Sequence, residues 1–429
     1  MPIMPKPTVG DTSWFTHDRF GLFIHWGIYS VAARHEWVKQ REEISDEDYQ
    51  KYFDHFYPDL YAPTAWAQEA KNAGMRYMVV TSKHHDGFCL WDSALTDYKA
   101  TRTPWGKDVL KPMVDAFRAE GLRVGFYHSL LDWHHPQFPV DGLHPMRNNL
   151  ALREQARDMA AYRAYLHGQV RELLTGFGRI DYLFYDFSYS ERGWGWSRGK
   201  GKDDWDSERL MAMTRELQPG IVVNDRLEIG GDVRTPEQYQ PHSCLTENGE
   251  PVVWEACQTL NGSWGYDRDN LDWKPSVMLV RMLIDTVSKG GNLLLNVGPT
   301  ARGTFDPRSV ERLRDIGAWM RLHSRSIYGC TASDFSPPPD CRYTQNGNRL
   351  YLHLFAWPFG HVHLPGLAHR VEYAQLLNDA SEIKMSVIDP AQAALNVTMG
   401  GIAPDVLTLH LPVQKPDVAV PVIELFLKA

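Results

Sequence analysis

Three carboxylates and a set of histidines stand where catalytic groups would sit if the apolar runs around them are strands. Asp186 closes the run IDYLFYDF at 180–187, Glu237 lies in GDVRTPEQY, and Glu255 is embedded in VVWEACQT at 252–259. A carboxylate at the end of an apolar run is desolvated on at least one side and needs a partner or a task. For Asp186 the choice lies between capping the next turn and acting as nucleophile or base. Glu237 reads either as a loop-borne acid/base or as an ordinary exposed glutamate. Glu255 reads as a second acid/base candidate or as a structural group paired with Arg226 or Arg268. His84 and His85 in KHHDG fall where a strand gives way to a loop, so both can turn into one mouth and donate to hydroxyls. With Asp86 they offer a second reading, a metal site of two imidazoles and a carboxylate. His25, Tyr127 and Arg226 end other runs, and Glu36 beside Trp37 sets an acceptor against a flat apolar plate, which suits the hydroxyl edge and C–H face of a sugar. Neither a Gly-rich phosphate loop nor a serine nucleophile elbow accompanies these groups. Paired carboxyls in such a cleft meet the requirement for cleaving a glycosidic bond, one as acid and the other as nucleophile or base.

The elements that must position these groups recur along the first three quarters of the chain. Apolar runs at 20–26, 75–82, 122–129, 180–187, 220–225, 252–259 and 292–299 are continuous rather than alternating, as expected of strands buried on both faces. Amphipathic stretches at 64–73, 107–120, 149–175, 205–217, 275–289 and 307–324 separate several of them. Gly74, Gly121, Gly176 and Gly290 follow as left-handed caps. Strand, helix and strand repeated this often predict a parallel sheet, and the length favours an irregular (β/α)8-like TIM barrel over residues 1–335. The irregularity is expected where no helix separates the runs at 220 and 252. Beyond Pro337, Pro338 and Pro339 the segments at 349–357, 361–366, 370–378, 382–388, 406–412 and 418–427 alternate between turn residues, which predicts an antiparallel β-sandwich over 336–429.

Composition narrows the function classes. The 429 residues are 43% hydrophobic and 23% charged, so the chain is an ordinary globular one. Its 45 Lys and Arg against 53 Asp and Glu leave a net charge of −8 with no basic block, which argues against a nucleic-acid partner. No apolar run approaches the roughly 18 residues of a membrane helix, and MPIMPKPTVGD lacks the pattern of a secretory signal, so the expectation is a soluble cytoplasmic protein. Five cysteines at wide spacing without a CxxC read as buried thiols rather than zinc ligands. Aromatic residues at 12%, with 15 Trp, supply flat platforms for a ligand.

At this point longer strings become specific. RFGLFIHWGIYSVAARHEWV, TSKHHDGFCLWDS, GFYHSLLDW, DYLFYDF, WEACQTLNGSWGY and GGNLLLNVGPTARG, spread in order over residues 19–303, resemble the signature blocks of the α-L-fucosidases of glycoside hydrolase family 29. The resemblance implies a retaining exo-enzyme that releases terminal α-L-fucose from fucosylated glycans by two displacements, with neither metal nor organic cofactor. It implies Asp186 as nucleophile, Glu237 in its TPE loop as acid/base with Glu255 as runner-up, and a fucose pocket of His25, Glu36, Trp37, His84, His85, Tyr127, Arg226 and Trp264. Phe184 departs from the family, where relatives often carry Trp, so its share in the pocket wall is an open point. Tyr29, Phe184 and Trp264 are candidates for an apolar slot that takes the sugar's methyl group. A fucose-binding protein without turnover, a metal-dependent hydrolase using His84, His85 and Asp86, and a homo-oligomer whose neighbour completes the pocket stay open at the level of sequence.

Overall fold

The computed structural model describes residues 4–387 and 403–428. The seven apolar runs become seven strands: β1 Phe20–Ile24, β2 Tyr77–Lys83, β3 Arg123–Ser129, β4 Tyr182–Asp186, β5 Val222–Val223, β6 Glu255–Thr259 and β7 Asn292–Val297. They form one all-parallel sheet in the order β6-β7-β1-β2-β3-β4-β5. Outside it lie the six helices α1 Pro63–Asn72, α2 Leu110–Ala119, α3 Met159–Gly176, α4 Ser207–Leu217, α5 Ser276–Ser288 and α6 Pro307–His323. Both strand faces are apolar for different reasons. Leu22, Ile24, Leu183, Tyr185 and Leu295 belong to the core beneath the helices. Their alternate neighbours Phe23, Tyr182, Phe184 and Leu294 fill the barrel interior. Burial on both sides is what makes the runs continuous in sequence.

Between β5 and β6 no helix intervenes, and the sheet closes through residues 233–237 instead. This course bridges Asn224 on one side and Trp254 and Cys257 on the other, in parallel sense throughout. Arg234 N donates to Val253 O at 2.9 Å, Glu255 N to Arg234 O at 2.9 Å, and Cys257 N to Pro236 O at 3.1 Å. Pro236 has no N–H to return, so the ladder stays broken and the closing course never becomes a regular strand. The expected irregular barrel is therefore eight courses around, seven of them strands.

The amino-terminal end of the barrel is plugged. Tyr77 and Tyr182 open β2 and β4 and turn inward, with Phe15 and Trp14 beneath them. Two glycines make room: a Cβ on Gly21 would lie 2.3 Å from the Tyr77 ring, and one on Gly125 2.9 Å from Tyr182 Cβ. Three of the four expected helix-terminating glycines, Gly74, Gly121 and Gly290, hold positive φ. The fourth does not. Gly176 is the last residue of α3, and Gly178 takes the left-handed turn instead.

Downstream lie two antiparallel sheets. One orders β8 (Cys341–Asn346), β9 (Arg349–Leu354), β14 (Val422–Leu427) and β11 (Val371–Leu376); the other orders β10 (His361–Leu364), β13 (Leu407–His410) and β12 (Lys384–Val387). They share a core that includes Leu352, Leu364, Leu409 and Ile423. β8, CRYTQN, carries no apolar run and was not among the expected strands; residue 388 of the segment at 382–388 lies outside the described residues. The tail is joined to the barrel by Trp319 Nε1 donating to Val420 O at 2.8 Å and by Arg342 Nε on Asp285 Oδ1 at 2.7 Å.

Filling the space that Gly21 leaves for Tyr77 should be costly. Gly21→Ala is expected to lower stability by about 1–3 kcal/mol in thermal or denaturant unfolding. Gly195→Ala, where nothing lies within 4 Å of the added carbon, should stay within about 0.5 kcal/mol of the parent.

Candidate active site

At the carboxyl end of the barrel the strands deliver polar groups in register. Along β4, Tyr182, Phe184 and Asp186 share the inward face, so the carboxylate tops a stack of two rings. Asp186 O accepts from Leu130 N at 2.9 Å, which fixes the strand end against β3. The next residue, Phe187, has φ 81°, a left-handed backbone that a bulky side chain rarely adopts and that costs about 1–3 kcal/mol. That turn aims the Phe187 ring back at Trp37 and His85, with centroids 5.3 and 5.0 Å away.

Arg226 joins the two leading carboxylates. One terminal nitrogen, Nη1, donates to Asp186 Oδ1 at 2.9 Å, and the other, Nη2, donates to Glu237 Oε2 at 3.0 Å. Thr235 steadies the fork, its hydroxyl accepting from Nε at 3.0 Å and its carbonyl from Nη2 at 3.1 Å. The second Asp186 oxygen accepts from Tyr127 O–H at 2.8 Å, with His85 Nε2 at 4.0 Å. Burial pushes the Asp186 carboxyl up to about 6, against the pull of Arg226 and with a further rise from Glu237. Glu237 itself is 43% exposed in its side chain and ends the closing course, opposite Cys257 across the seam. It is thus at a barrel-strand end like the other site groups, although no sequence run announces a strand there.

A cavity of about 320 Å³ opens in front of these groups. Its lining includes His25, Glu36, Trp37, His84, His85, Tyr127, Phe184, Asp186, Glu237 and Trp264, so ten of the expected residues converge on one space. Arg226 stands just behind it. Burial presses His25 down to about 3 and holds His84 and His85 well below the usual imidazole range, helped by their neighbouring histidines. Neutral imidazoles both donate and accept, which matches hydroxyls rather than charged groups. His25 Nδ1 is tied to Asn296 Oδ1 at 2.6 Å, and Asn296 Nδ2 donates to Trp264 O at 2.6 Å. His84 Nδ1 is buried and has no hydrogen-bond partner among the described residues. Glu36 is buried, and Gly265 N donates to its Oε2 at 2.7 Å; burial raises its carboxyl while that N–H opposes the rise. Phe184 lies between Phe23 and Tyr127 and under the Arg226 guanidinium, 5.6 Å from its ring centre. Phe23, Phe184, Cys257 and Trp264 supply the apolar part of the wall.

Some expected residues are elsewhere. Glu255 opens β6 instead of closing it, so it lies at the plugged amino end, fully buried, accepting from Tyr77 O–H. Burial pushes its carboxyl up to about 8. It pairs with neither Arg226 nor Arg268, the latter being engaged with Asp269 at 3.0 Å. Asp86 turns away from His84 and His85 to accept from Tyr49 O–H at 3.0 Å and Phe88 N at 3.2 Å, so the three do not converge on a point. Among the described residues no three His, Cys, Asp or Glu side chains are arranged to hold a metal ion. Tyr29 sits behind His84, its hydroxyl on Thr81, and takes no part in the cavity wall. Sequence reading missed Asn296, Phe23, Phe187, Arg41, Gln238, Cys257 and Gly262. Of these Asn296 left a signal, since it is polar within NLLLNV and shares the inward register of Asn292 and Leu294.

The geometry agrees with the comparisons to known proteins. A sequence model of the Alpha-L-fucosidase family matches residues 9–325. The plasma alpha-L-fucosidase of Rattus norvegicus is 31% identical over 384 residues, covering 81% of this chain and 78% of the relative. Alpha-L-fucosidase isoenzyme 1 from Paenibacillus thiaminolyticus superposes with a TM-score of 0.91 at 47% identity, covering 97% of this chain and 99% of that one. The alpha-fucosidase of Thermotoga maritima, solved in complex with a mechanism based inhibitor, gives a TM-score of 0.79 at 28% identity, covering 98% and 97%. In sequence over its barrel and in structure over nearly its whole length, this chain belongs to the alpha-L-fucosidases of glycoside hydrolase family 29.

Proposed function

We propose that the protein is a retaining, exo-acting α-L-fucosidase in which Asp186 is the nucleophile and Glu237 the acid/base. The observation that carries the reading is the single guanidinium of Arg226 holding one oxygen of each carboxyl, at 2.9 and 3.0 Å, beside a pocket large enough for a monosaccharide. Retention asks that the two carboxyls stand close, about 5 Å apart, and a shared cation favours that spacing over the wider gap that admits a water between them. In the first step Asp186 attacks the anomeric carbon while the acid gives its proton to the departing oxygen. In the second, water deprotonated by the same group releases fucose from the ester.

The remaining groups position and discriminate. Tyr127 and Arg226 fix the two Asp186 oxygens, so attack needs no search for a rotamer. Neutral His25, His84 and His85 with buried Glu36 engage the hydroxyls, and the apolar wall of Phe23, Phe184 and Trp264 receives the methyl group, where galactose would crowd its extra hydroxyl. The buried deep end of the pocket, lined by Phe23, His25, Tyr127 and Phe184, suits a terminal residue.

Three outcomes test the reading. Asp186→Gly should cut turnover of an aryl fucoside by about a thousandfold or more and regain part of it with added azide; undiminished hydrolysis removes Asp186 from the role. Glu237→Ala should slow fucosides with poor leaving groups by about a hundredfold or more while sparing strongly activated ones; a uniform loss across leaving groups speaks against it. Because the nucleophile must be ionised and burial raises its carboxyl to about 6, kcat/KM should fall as pH drops through that region. Arg226 pulls in the opposite direction, so Arg226→Gln should move this acidic limb to higher pH as well as weakening activity. A limb that stays in place would detach the limb from Asp186.

A further inference from the structure

Arg41 is a cation at the pocket that makes no close ion pair among the described residues, although its charge acts on the buried carboxyl of Glu36 in the same lining. It lies on the short helix Val38–Arg41 that follows Glu36 and Trp37, is exposed, and lines the cavity. The two carboxylates that follow it are taken by other arginines, Glu42 by Arg34 at 2.6 Å and Glu43 by Arg147 at 2.8 Å, and Glu36, which precedes it, accepts from Gly265 N at 2.7 Å. Among the described residues no carboxylate pairs with Arg41. Its one polar contact is His35 Nε2, 2.8 Å from Nη1. That contact is compromised, because His35 Nδ1 already receives the Trp37 N–H at 2.9 Å. Burial and the Arg41 charge hold His35 down to about 4, so the ring is neutral at ordinary pH, and a neutral imidazole accepts at one nitrogen only. Either nitrogen arrangement leaves a donor facing a donor. Apart from that contact and the longer-range pull of Glu36, the exposed guanidinium that lines the cavity has no acceptor among the described residues.

Its place says which part of a substrate could supply that acceptor. The buried lining, Phe23, His25, Tyr127 and Phe184 among it, surrounds the deep end, whereas Arg41, Glu237, Gln238 and Gly262 are the exposed members and form the rim. A cavity of about 320 Å³ is larger than one sugar ring, so with that ring seated among the buried groups at the deep end, whatever meets the rim belongs to the leaving group. We infer that Arg41 is a specificity residue for the aglycone and that the substrates it favours carry a carboxylate close to the glycosidic oxygen, as an acidic sugar or other acidic aglycone would. A planar fork of N–H donors pairs with a carboxylate in two parallel bonds, and at a partly desolvated rim such a pair discriminates well against a neutral ester.

This rests on the reading of the site as a fucoside-cleaving centre, and the test keeps the two apart. The 2-, 3- and 4-carboxyphenyl α-L-fucosides and their methyl esters are assayed with the parent, Arg41→Gln and Arg41→Lys proteins, and the readout is the ratio of kcat/KM for acid over ester within each protein. Leaving-group electronics and the fraction of folded enzyme cancel when that ratio is compared between proteins. The expected result is a fall of about tenfold in Arg41→Gln for at least one isomer, an intermediate fall in Arg41→Lys, and a parent ratio that declines with added salt. If the ratio moves less than threefold for all three isomers while the esters are hydrolysed, the role of Arg41 is overturned and the fucosidase reading stands. Absence of hydrolysis of every fucoside by the parent overturns the fucosidase reading itself.

Discussion

The electrostatics of the pocket depend on one guanidinium. Asp186 and Glu237 are brought to the same mouth by different parts of the barrel, and two like charges about 4 Å apart would repel by about 4 kcal/mol at an effective dielectric of 20. Arg226 lies between them and donates to both. With two carboxyls and one cation the trio is neutral when one proton is retained, which is the composition an acid and a nucleophile need at the start of a glycosidic cleavage. Removing the cation would leave a buried carboxylate uncompensated, an arrangement that costs about 3–5 kcal/mol. Thr235 and the Phe184 ring hold the guanidinium in its plane, so the barrel's irregular seam and the strand that ends in Asp186 meet at this one side chain.

Around that centre the site is built from uncharged polarity. Three histidines are kept neutral by burial, and their rings are locked edge to face and face to face with Tyr127, Trp37 and Trp264. The three histidines can therefore bind hydroxyls without themselves adding charge that would compete with Arg226 for the two carboxyls. The strained turn at Phe187 belongs to the same arrangement, since it presses a ring onto His85 and Trp37 immediately beyond Asp186. Strain at such a point persists because the surrounding packing over-determines it.

Much of this was legible in the chain itself. Continuous apolar runs mark doubly buried strands, and His25, His84, His85, Tyr127 and Asp186 stand at or just past their ends. What sequence could not supply was phase. The run at 252–259 begins three residues before β6 does, which places Glu255 at the start of the strand and on the far side of the barrel from the chemistry. Glu237 posed the opposite problem: Pro236 and the polar flanks read as loop, although the backbone there closes the sheet. Asn296 hid inside an apolar run, and its meaning depends on which face of β7 points inward. Arg41 carried no pattern, because its importance comes from what the neighbouring carboxylates do elsewhere.

The aromatic plug at the amino end has a kinetic corollary. With Tyr77, Tyr182, Phe15 and Trp14 sealing the base, nothing can pass through the barrel, so entry and exit share a single door. Under the proposed two-step mechanism the sequence of departures is then imposed by topology: the aglycone has to vacate the doorway before a water can reach the ester, and the liberated monosaccharide leaves last. An enzyme shaped this way is open to competition from any acceptor that occupies the doorway ahead of water.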